Sequence, residues 1–141
     1  MVALMPQGTI PRGSAFFNPE LQGRWGAVRL AQATGAPIIP IGLWGTEQVW
    51  PRSSRFPDVT QVLRPPRVQI VVGTAVELEG GSVDQDTKLV MSAISELLPE
   101  ESRSQRPPSH DDLARTYPGG VLPDDVEWAS DHETVRRPGT D

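Results

Sequence analysis

The composition of the chain changes near residue 99, and this change limits how much of the sequence can contribute to a hydrophobic core. Residues 1–99 carry eight acidic and eight basic side chains, whereas residues 100–141 carry ten acidic and five basic, so the net charge of −5 arises from the last 42 residues. That segment is rich in Pro, Ser, Arg and Asp, and burial cannot offset the entropy lost on ordering it. We therefore expect one folded region over residues 1–99 and a mostly disordered acidic tail over residues 100–141.

One short helix is predicted inside this tail. Residues 108–117 read PSHDDLARTY, which places Ser109 before two acidic residues. Serine is a preferred N-cap, and acidic side chains in a first turn interact favourably with the helix dipole. The pattern predicts a helix of about two turns.

Several classes of protein are disfavoured by what the sequence contains. There is no cysteine, so disulfides and thiolate metal sites are excluded, which suits a reducing compartment. The longest apolar run, residues 36–45, is interrupted by Pro40 and is shorter than the about 20 residues that span a bilayer. No secretory signal is visible. We expect a cytoplasmic protein whose contact with a membrane is peripheral.

Five regular elements are predicted within residues 1–99. In chain order they are a strand over residues 2–5, a helix over 23–35, a strand over 37–43, a strand over 67–73 and a helix over 83–98. Gly35 and Pro99 end the two helices, and Ser82 or Asp84 begins the second. This order predicts an α/β fold with a mixed or parallel sheet flanked by helices.

The strand over residues 37–43 is apolar at successive positions. The segment PIIPIGL lacks the alternation of a half-buried strand, which predicts a strand buried on both faces of an α/β layer. Pro40 favours an edge position or a bulge.

The first predicted strand leads into a turn that is suited to an anionic ligand. Residues 5–13 read MPQGTIPRG. Gly8 permits close backbone approach, the Thr9 hydroxyl is a donor, and the guanidinium of Arg12 matches phosphate oxygens. Taken alone, such a turn is more often an ordinary loop.

A second motif gives the turn a specific interpretation. Residues 35–41 read GAPIIPI, and they follow the turn after one predicted helix. In order and spacing, the two motifs resemble the Glu-Gly-Thr-Arg-Ser block and the Val-Pro-Ile-hydrophobic-Pro block of the 1-acylglycerol-3-phosphate acyltransferases. The similarity covers about residues 2–98, and it implies the C-terminal part of an acyltransferase-like α/β domain that is incomplete at its N-terminus.

In that family the first block helps to bind the phosphate of the acyl acceptor. The resemblance therefore implies that Gln7, Gly8, Thr9 and Arg12 bind the acceptor. Gln7 stands where the family usually has Glu, and Arg12 follows Thr9 by three residues instead of directly. Gln7 keeps hydrogen-bonding capacity but supplies no carboxylate.

The catalytic motif of the family has no counterpart in this sequence. Related enzymes use His-x-x-x-x-Asp, in which His is the general base and Asp orients it. Here His110 is followed five positions later by Arg115, and His132 by Arg137. We assign no catalytic residue and no metal ligand, and we expect the chain, which we interpret as truncated, to be inactive alone.

Arginine and tryptophan are concentrated between residues 12 and 67. This segment contains seven arginines but only three acidic residues, and Trp25, Trp44 and Trp50 lie in it as well. The arginines are Arg12, Arg24, Arg29, Arg52, Arg55, Arg64 and Arg67. Trp beside Arg is typical of a lipid headgroup boundary, which predicts an anionic membrane surface as a partner. Trp25 and Trp44 also suit a core, so Trp50 is the better anchor. Nucleic acid is not expected for this acidic chain.

Two functions follow from these expectations. The first is an enzyme of phospholipid biosynthesis that transfers an acyl group from acyl-CoA or acyl carrier protein, as co-substrate, to a lysophospholipid, without cofactor or metal. The alternative is a non-catalytic module that binds anionic lipid and uses its acidic tail to bind a partner.

Overall fold

The computed structural model describes residues 1–58, 65–103 and 107–123, and these residues form two compact units. The first unit comprises the described residues of Met1–Thr9, Pro19–Trp44 and Val68–Ser104. The second comprises the described residues of Ile10–Asn18, Gly45–Arg67 and Gln105–Asp141. Each unit is therefore assembled from three separate stretches of the chain.

Two helices pack together in the first unit. Helix α1 spans Gly26–Thr34 and ends at Gly35, whose φ of 69° and hydrogen bond to the Ala31 carbonyl form a left-handed C-cap. Val28 and Ala31 are buried on its inner face, so the helix and end signal predicted from the sequence are confirmed.

The longer helix, α3, spans Val83–Glu96 and carries most of the remaining core. Ser82 and Gln85 form a reciprocal capping box at its start. Val90 and Met91 are each 3% exposed, and α3 contacts α1. A short 3₁₀ helix over Glu100–Arg103 follows Pro99. The predicted helix over residues 83–98 is thus confirmed, with Ser82 as its N-cap.

The sheet of the described residues is a two-stranded antiparallel ribbon. Strand β1 (Ile41–Trp44) pairs with β2 (Gln69–Val72). An isolated bridge joins Ile38 to Val76. Two residues separate this bridge from the ladder on the β1 side and three on the β2 side, so the ribbon contains a bulge beside Pro40.

The α/β class is confirmed in general, but the mixed or parallel sheet predicted from the sequence is wrong for the described residues. A parallel pair needs a crossover of a dozen or more residues, usually a helix. The described part of the connection between β1 and β2 contains only α2, a four-residue helix over Thr46–Val49. The chain instead returns in the opposite direction beside β1.

The ribbon is covered on one face. Gly42 is buried, and a Cβ built on it would lie 2.7 Å from the Leu97 Cβ, so the end of α3 lies directly against the strand. On the opposite face, Ile41 is 52% and Leu43 45% exposed. The prediction that residues 37–43 are buried on both faces is therefore wrong, because α3 covers one side only.

Residues 2–5 do not form the predicted strand. They have no regular structure, and Val2 and Met5 are 70% and 83% exposed. An apolar run gains strand structure only when a neighbouring strand satisfies its backbone groups. No such partner is present among the described residues, so hydrophobicity alone gave the wrong prediction here.

Short helices are the regular elements of the described residues of the second unit. A 3₁₀ helix covers Gly13–Phe17, α4 covers His110–Arg115, and a second 3₁₀ helix covers Pro118–Gly120. Ser109 and Asp112 form a capping box on α4, which confirms the short helix predicted there. The buried Gly13 N–H donates to Thr116 Oγ1 at 2.8 Å and joins residues 103 positions apart. The boundary predicted at residue 99 stays a prediction, and residues 104–106 and 124–141 lie outside the described part.

Candidate anion-binding turn

A closed turn follows the N-terminal segment of the first unit. The Gly8 N–H donates to the Met5 carbonyl at 3.0 Å. Gly8 has a φ of 70°, a conformation that costs glycine little and other residues more. Gln7 is half-buried, and Gly8 and Thr9 are exposed. The turn therefore presents its backbone and the Thr9 hydroxyl to solvent.

Arg24 lies against this turn. Its backbone N–H donates to the Pro6 carbonyl at 2.7 Å, and its Nε donates to the Gln7 carbonyl at 3.3 Å. A Cβ on Gly8 would lie 2.9 Å from the Arg24 Cδ and 3.0 Å from its Nε. The absence of a side chain at Gly8 thus makes room for the arginine.

These contacts leave the outer edge of the Arg24 guanidinium available. Nε is used by the Gln7 carbonyl, while within the described residues neither terminal nitrogen of Arg24 has a hydrogen bond or a carboxylate partner. The side chain is half-buried, which restricts its conformations. A fixed guanidinium with two free nitrogens suits a planar pair of oxygens on a phosphate or carboxylate.

Arg12 belongs to the second unit, not to the unit that holds the turn. It is exposed, has an extended backbone (φ −128°, ψ 163°) and precedes the 3₁₀ helix that begins at Gly13. Of the four predicted acceptor residues, the structure therefore brings together Gln7, Gly8 and Thr9. The cation that contacts their turn is Arg24.

Arg24 was not identified as a site residue from the sequence. It lies 17 positions from Gln7, the residue whose carbonyl it contacts, and no local motif connects the two. Arg24 did belong to the predicted cluster of arginines, and it stands shortly before α1. Those two features were the only indications in the sequence that Arg24 could be functional, and neither one specifies contact with the turn.

The histidines do not form a catalytic pair in the described part of the chain. His110 is the first residue of α4 and is exposed, with Arg115 at the other end of the same helix. His132 lies outside the described residues. No group of three or more His, Cys, Asp or Glu side chains that could hold a metal ion occurs within the described ranges.

The arginines and tryptophans are divided between the two units. In the first unit, the Arg29 guanidinium lies 5.0 Å from the centre of the half-buried Trp25 ring. In the second unit, Trp50 is 57% exposed and donates from Nε1 to the Ser54 carbonyl. Arg64 lies outside the described residues. Trp50 is accordingly the tryptophan most accessible to a surface among those that the structure describes.

None of the helices within the described residues has the length and apolarity that a bilayer span requires.

Comparison with known proteins does not assign this chain to a family. No protein-family model, no curated protein and no solved structure matches this chain. The resemblance to the acyltransferases therefore stays a prediction that depends on the two sequence motifs.

Proposed function

We propose that the chain is the acceptor-binding part of a lysophospholipid acyltransferase and that it binds the acceptor phosphate at the turn over residues 5–9. The observation that carries the proposal is the contact of Arg24 with the Gly8 turn. It places a cation beside the motif that resembles the phosphate-binding block of these enzymes.

The phosphate of a 1-acylglycerol-3-phosphate would accept two hydrogen bonds from the terminal nitrogens of Arg24. Bidentate contacts of this kind are short, charge-assisted and about twice as strong as neutral hydrogen bonds. The exposed Thr9 hydroxyl supplies a further donor, and the amide of Gln7 supplies another. An acceptor without a phosphate would form none of the contacts to Arg24.

The reaction proposed for the whole enzyme is acyl transfer from a thioester. The free hydroxyl of the acceptor attacks the thioester carbonyl carbon, the carbon–sulfur bond breaks, and the hydroxyl proton passes through a base to the departing thiolate. The donor is acyl-CoA or acyl carrier protein. The resemblance implies a His-x-x-x-x-Asp base, and we assign that role to no residue of this chain. Its own part is to hold the acceptor.

We further propose that the protein acts at the cytoplasmic surface of an anionic membrane. Trp50 is 57% exposed and is followed closely by Arg52 and the exposed Arg55. An aromatic ring beside arginines is the arrangement that favours a charged headgroup layer. Binding to vesicles with and without anionic lipid tests this part, and the Trp50→Ala variant should bind the anionic vesicles more weakly.

Calorimetric titration with a short-chain 1-acylglycerol-3-phosphate tests the phosphate site. Arg24→Ala should weaken binding by about 10- to 100-fold, the range expected for charge-assisted hydrogen bonds. Arg29→Ala is the matched control, because Arg29 is in the same unit but stacks on Trp25. Equal affinity for 1-acylglycerol, which has no phosphate, would contradict the proposal, as would unchanged binding by Arg24→Ala.

The same titration tests whether Arg12 takes part in binding the acceptor. A loss of affinity in Arg12→Ala would restore Arg12 as an acceptor residue, and unchanged affinity would remove it. The non-catalytic alternative predicts the same phosphate binding but no thiol release from acyl-CoA, even when a segment with His-x-x-x-x-Asp is fused upstream. Thiol release by that fusion would support the enzyme.

A further inference from the structure

We propose that the loop over residues 50–56 is a preformed membrane-insertion loop, in which Phe56 enters the lipid layer beside Trp50 and Ser54 holds both residues in position. The inference rests on the membrane association proposed above and makes it specific, because it names the inserted residue and the residue that positions it. It does not depend on the phosphate turn, which belongs to the other unit.

Two aromatic rings of this loop are exposed to solvent. Trp50 is 57% exposed and Phe56 is 71% exposed, and these are the highest values for aromatic side chains among the described residues. Rings of this size remove a large apolar area from water when they are buried. The loop therefore gains most from a partner with an apolar interior.

Hydrogen bonds centred on Ser54 order the loop. Trp50 Nε1 donates to the Ser54 carbonyl at 3.3 Å. The Ser54 hydroxyl donates to the Phe56 carbonyl at 2.7 Å and accepts a bond from the Phe56 N–H at 3.4 Å. At the base of the loop, the Asp58 N–H donates to the Val49 carbonyl at 2.8 Å. A loop that is already ordered loses less conformational entropy when it binds.

The arginines of the loop favour an anionic partner. The Arg55 guanidinium lies 5.9 Å from the centre of the Phe56 ring, so a cation and an apolar ring are presented together. Arg52 is half-buried, and its Nε is buried without a hydrogen-bond partner. Among the described residues no carboxylate forms an ion pair with Arg52. A phosphate near this guanidinium would offset the cost of its desolvation.

Two neighbouring segments place further exposed apolar residues next to the loop. Arg52 Nη1 donates to the Ile10 carbonyl at 3.5 Å, and Ile10 is 62% exposed. A Cβ on Gly120 would lie 3.4 Å from the Ser53 Cβ, and the next residue, Val121, is 71% exposed. Exposed apolar residues therefore stand on both segments that contact the loop.

A lipid layer offers both kinds of contact in one surface. Its phosphates lie directly outside its hydrocarbon, so arginines can bind the headgroups while an aromatic ring enters below them. Residues 48–57 contain two arginines and no acidic residue, and each arginine near an anionic surface strengthens binding. An acidic protein would match the arginines, but it would also need an apolar pocket for each exposed ring. The anionic lipid layer is therefore the partner that fits the loop.

The first test is co-sedimentation of the full chain with vesicles of phosphatidylcholine and about one third phosphatidylglycerol. Phe56→Ser should weaken binding about 10-fold, because the burial of the ring is lost. Ser54→Ala changes neither the charge nor the aromatic content, so the expected loss of about threefold would report the loss of ordering alone. Ile70→Ser is the matched control, because Ile70 is 65% exposed but lies in the other unit, and it should bind like the wild type. Far-ultraviolet circular dichroism checks that each variant keeps its helices.

A second measurement locates the loop in the lipid layer without a change at Phe56. Lipids with brominated acyl chains quench tryptophans that reach the boundary of the hydrocarbon, and they should quench the wild-type protein. The quenching should fall in Trp50→Phe, which keeps an aromatic ring at this position and should bind within about twofold of the wild type. The lost signal is then assigned to Trp50.

Four results would overturn the proposal. The first is a wild-type chain that does not bind the anionic vesicles, and the second is quenching that Trp50→Phe leaves unchanged. The third is a loss of binding in Ile70→Ser as large as that in Phe56→Ser. The fourth is binding that Trp50→Ala weakens but Phe56→Ser and Ser54→Ala leave unchanged, which would retain the peripheral association and reject the insertion loop. The titration of the phosphate turn is made without vesicles, so its outcome is independent of all four.

Discussion

Replacement of Asp86 by alanine should destabilise the first unit by about 2 to 3 kcal/mol, because this carboxylate connects α3 to two other segments. Asp86 is 1% exposed. Its Oδ2 accepts a hydrogen bond from Gln32 Nε2 on α1 at 2.9 Å, and its Oδ1 accepts one from the Glu79 backbone N–H at 3.1 Å. Alanine removes both acceptors together.

The size of this destabilisation depends on the strength of the two hydrogen bonds and on the contacts that their donors make once Asp86 is absent. A hydrogen bond to a charged group contributes about 1.5 to 3 kcal/mol, so the two together set an upper limit of about 3 to 6 kcal/mol. Gln32 is an exposed residue, and its amide can bind water once Asp86 is gone. Removing a buried carboxylate also relieves its desolvation, which lowers the net effect.

Urea unfolding followed at 222 nm measures the free-energy change, provided that the slope of the transition is unchanged. Asp84→Ala is the comparison variant, because Asp84 is also in the first turn of α3 but is only half-buried; it pairs with the exposed Lys88 at 3.5 Å and accepts a long hydrogen bond from Trp25 Nε1 at 3.4 Å. Both variants lose a favourable charge at the helix N-terminus, so their difference compares the two buried bonds of Asp86 with the half-buried contacts of Asp84. We expect Asp84→Ala to lower the free energy of unfolding by about 1 kcal/mol, which is less than the effect of Asp86→Ala.

A double-mutant cycle with Gln32→Ala then separates the contribution of the α1 contact. The two changes should be non-additive by at least about 0.5 kcal/mol, since they remove the same bond. If Asp86→Ala unfolded at the same urea concentration as Asp84→Ala, the reasoning would be refuted, because the buried bonds would then stabilise the unit no more than the half-buried contacts of Asp84.

Two further predictions concern close contacts. Gly42→Ala should lower the free energy of unfolding by about 1 to 3 kcal/mol, because the new Cβ would overlap Leu97. Gly26→Ala is the control: Gly26 lies in α1 with open space around it, so this change should be neutral or slightly stabilising. Equal unfolding midpoints for the two variants would contradict the prediction. Thr116→Val removes the acceptor of the buried Gly13 N–H and should cost about 1 to 3 kcal/mol in the second unit. Faster hydrogen exchange at the Gly13 amide would report that loss directly, and an unchanged exchange rate would show that the bond is not stabilising.

The elements that the sequence predicted correctly are those with local signals. Gly35 ends α1 and Ser82 begins α3 through bonds within four residues of each other, and such bonds are encoded by neighbouring residue types. The cap at Ser109 is equally local. By contrast, the direction of the ribbon and the exposure of Ile41 depend on what packs against β1, which the pattern PIIPIGL does not encode.

The candidate site was predictable to the same extent. Gly8 and Thr9 were identified from a local turn pattern, and the structure places them on a turn. The arginine beside that turn depends on where the segment before α1 lies, and Arg12 was the nearer residue in sequence. Proximity along the chain favoured Arg12, whereas the observed contact is made by Arg24.

The alternation of the chain between its two units has a consequence for dissecting the protein. The backbone passes from one unit to the other after residues 9, 18, 44, 67 and 104, so neither unit can be excised as one continuous fragment. A protease cut near residue 54 would leave two pieces that the four residue pairs of the ribbon still connect. Limited digestion should therefore give a nicked protein that migrates as one species in native electrophoresis and as two fragments after denaturation.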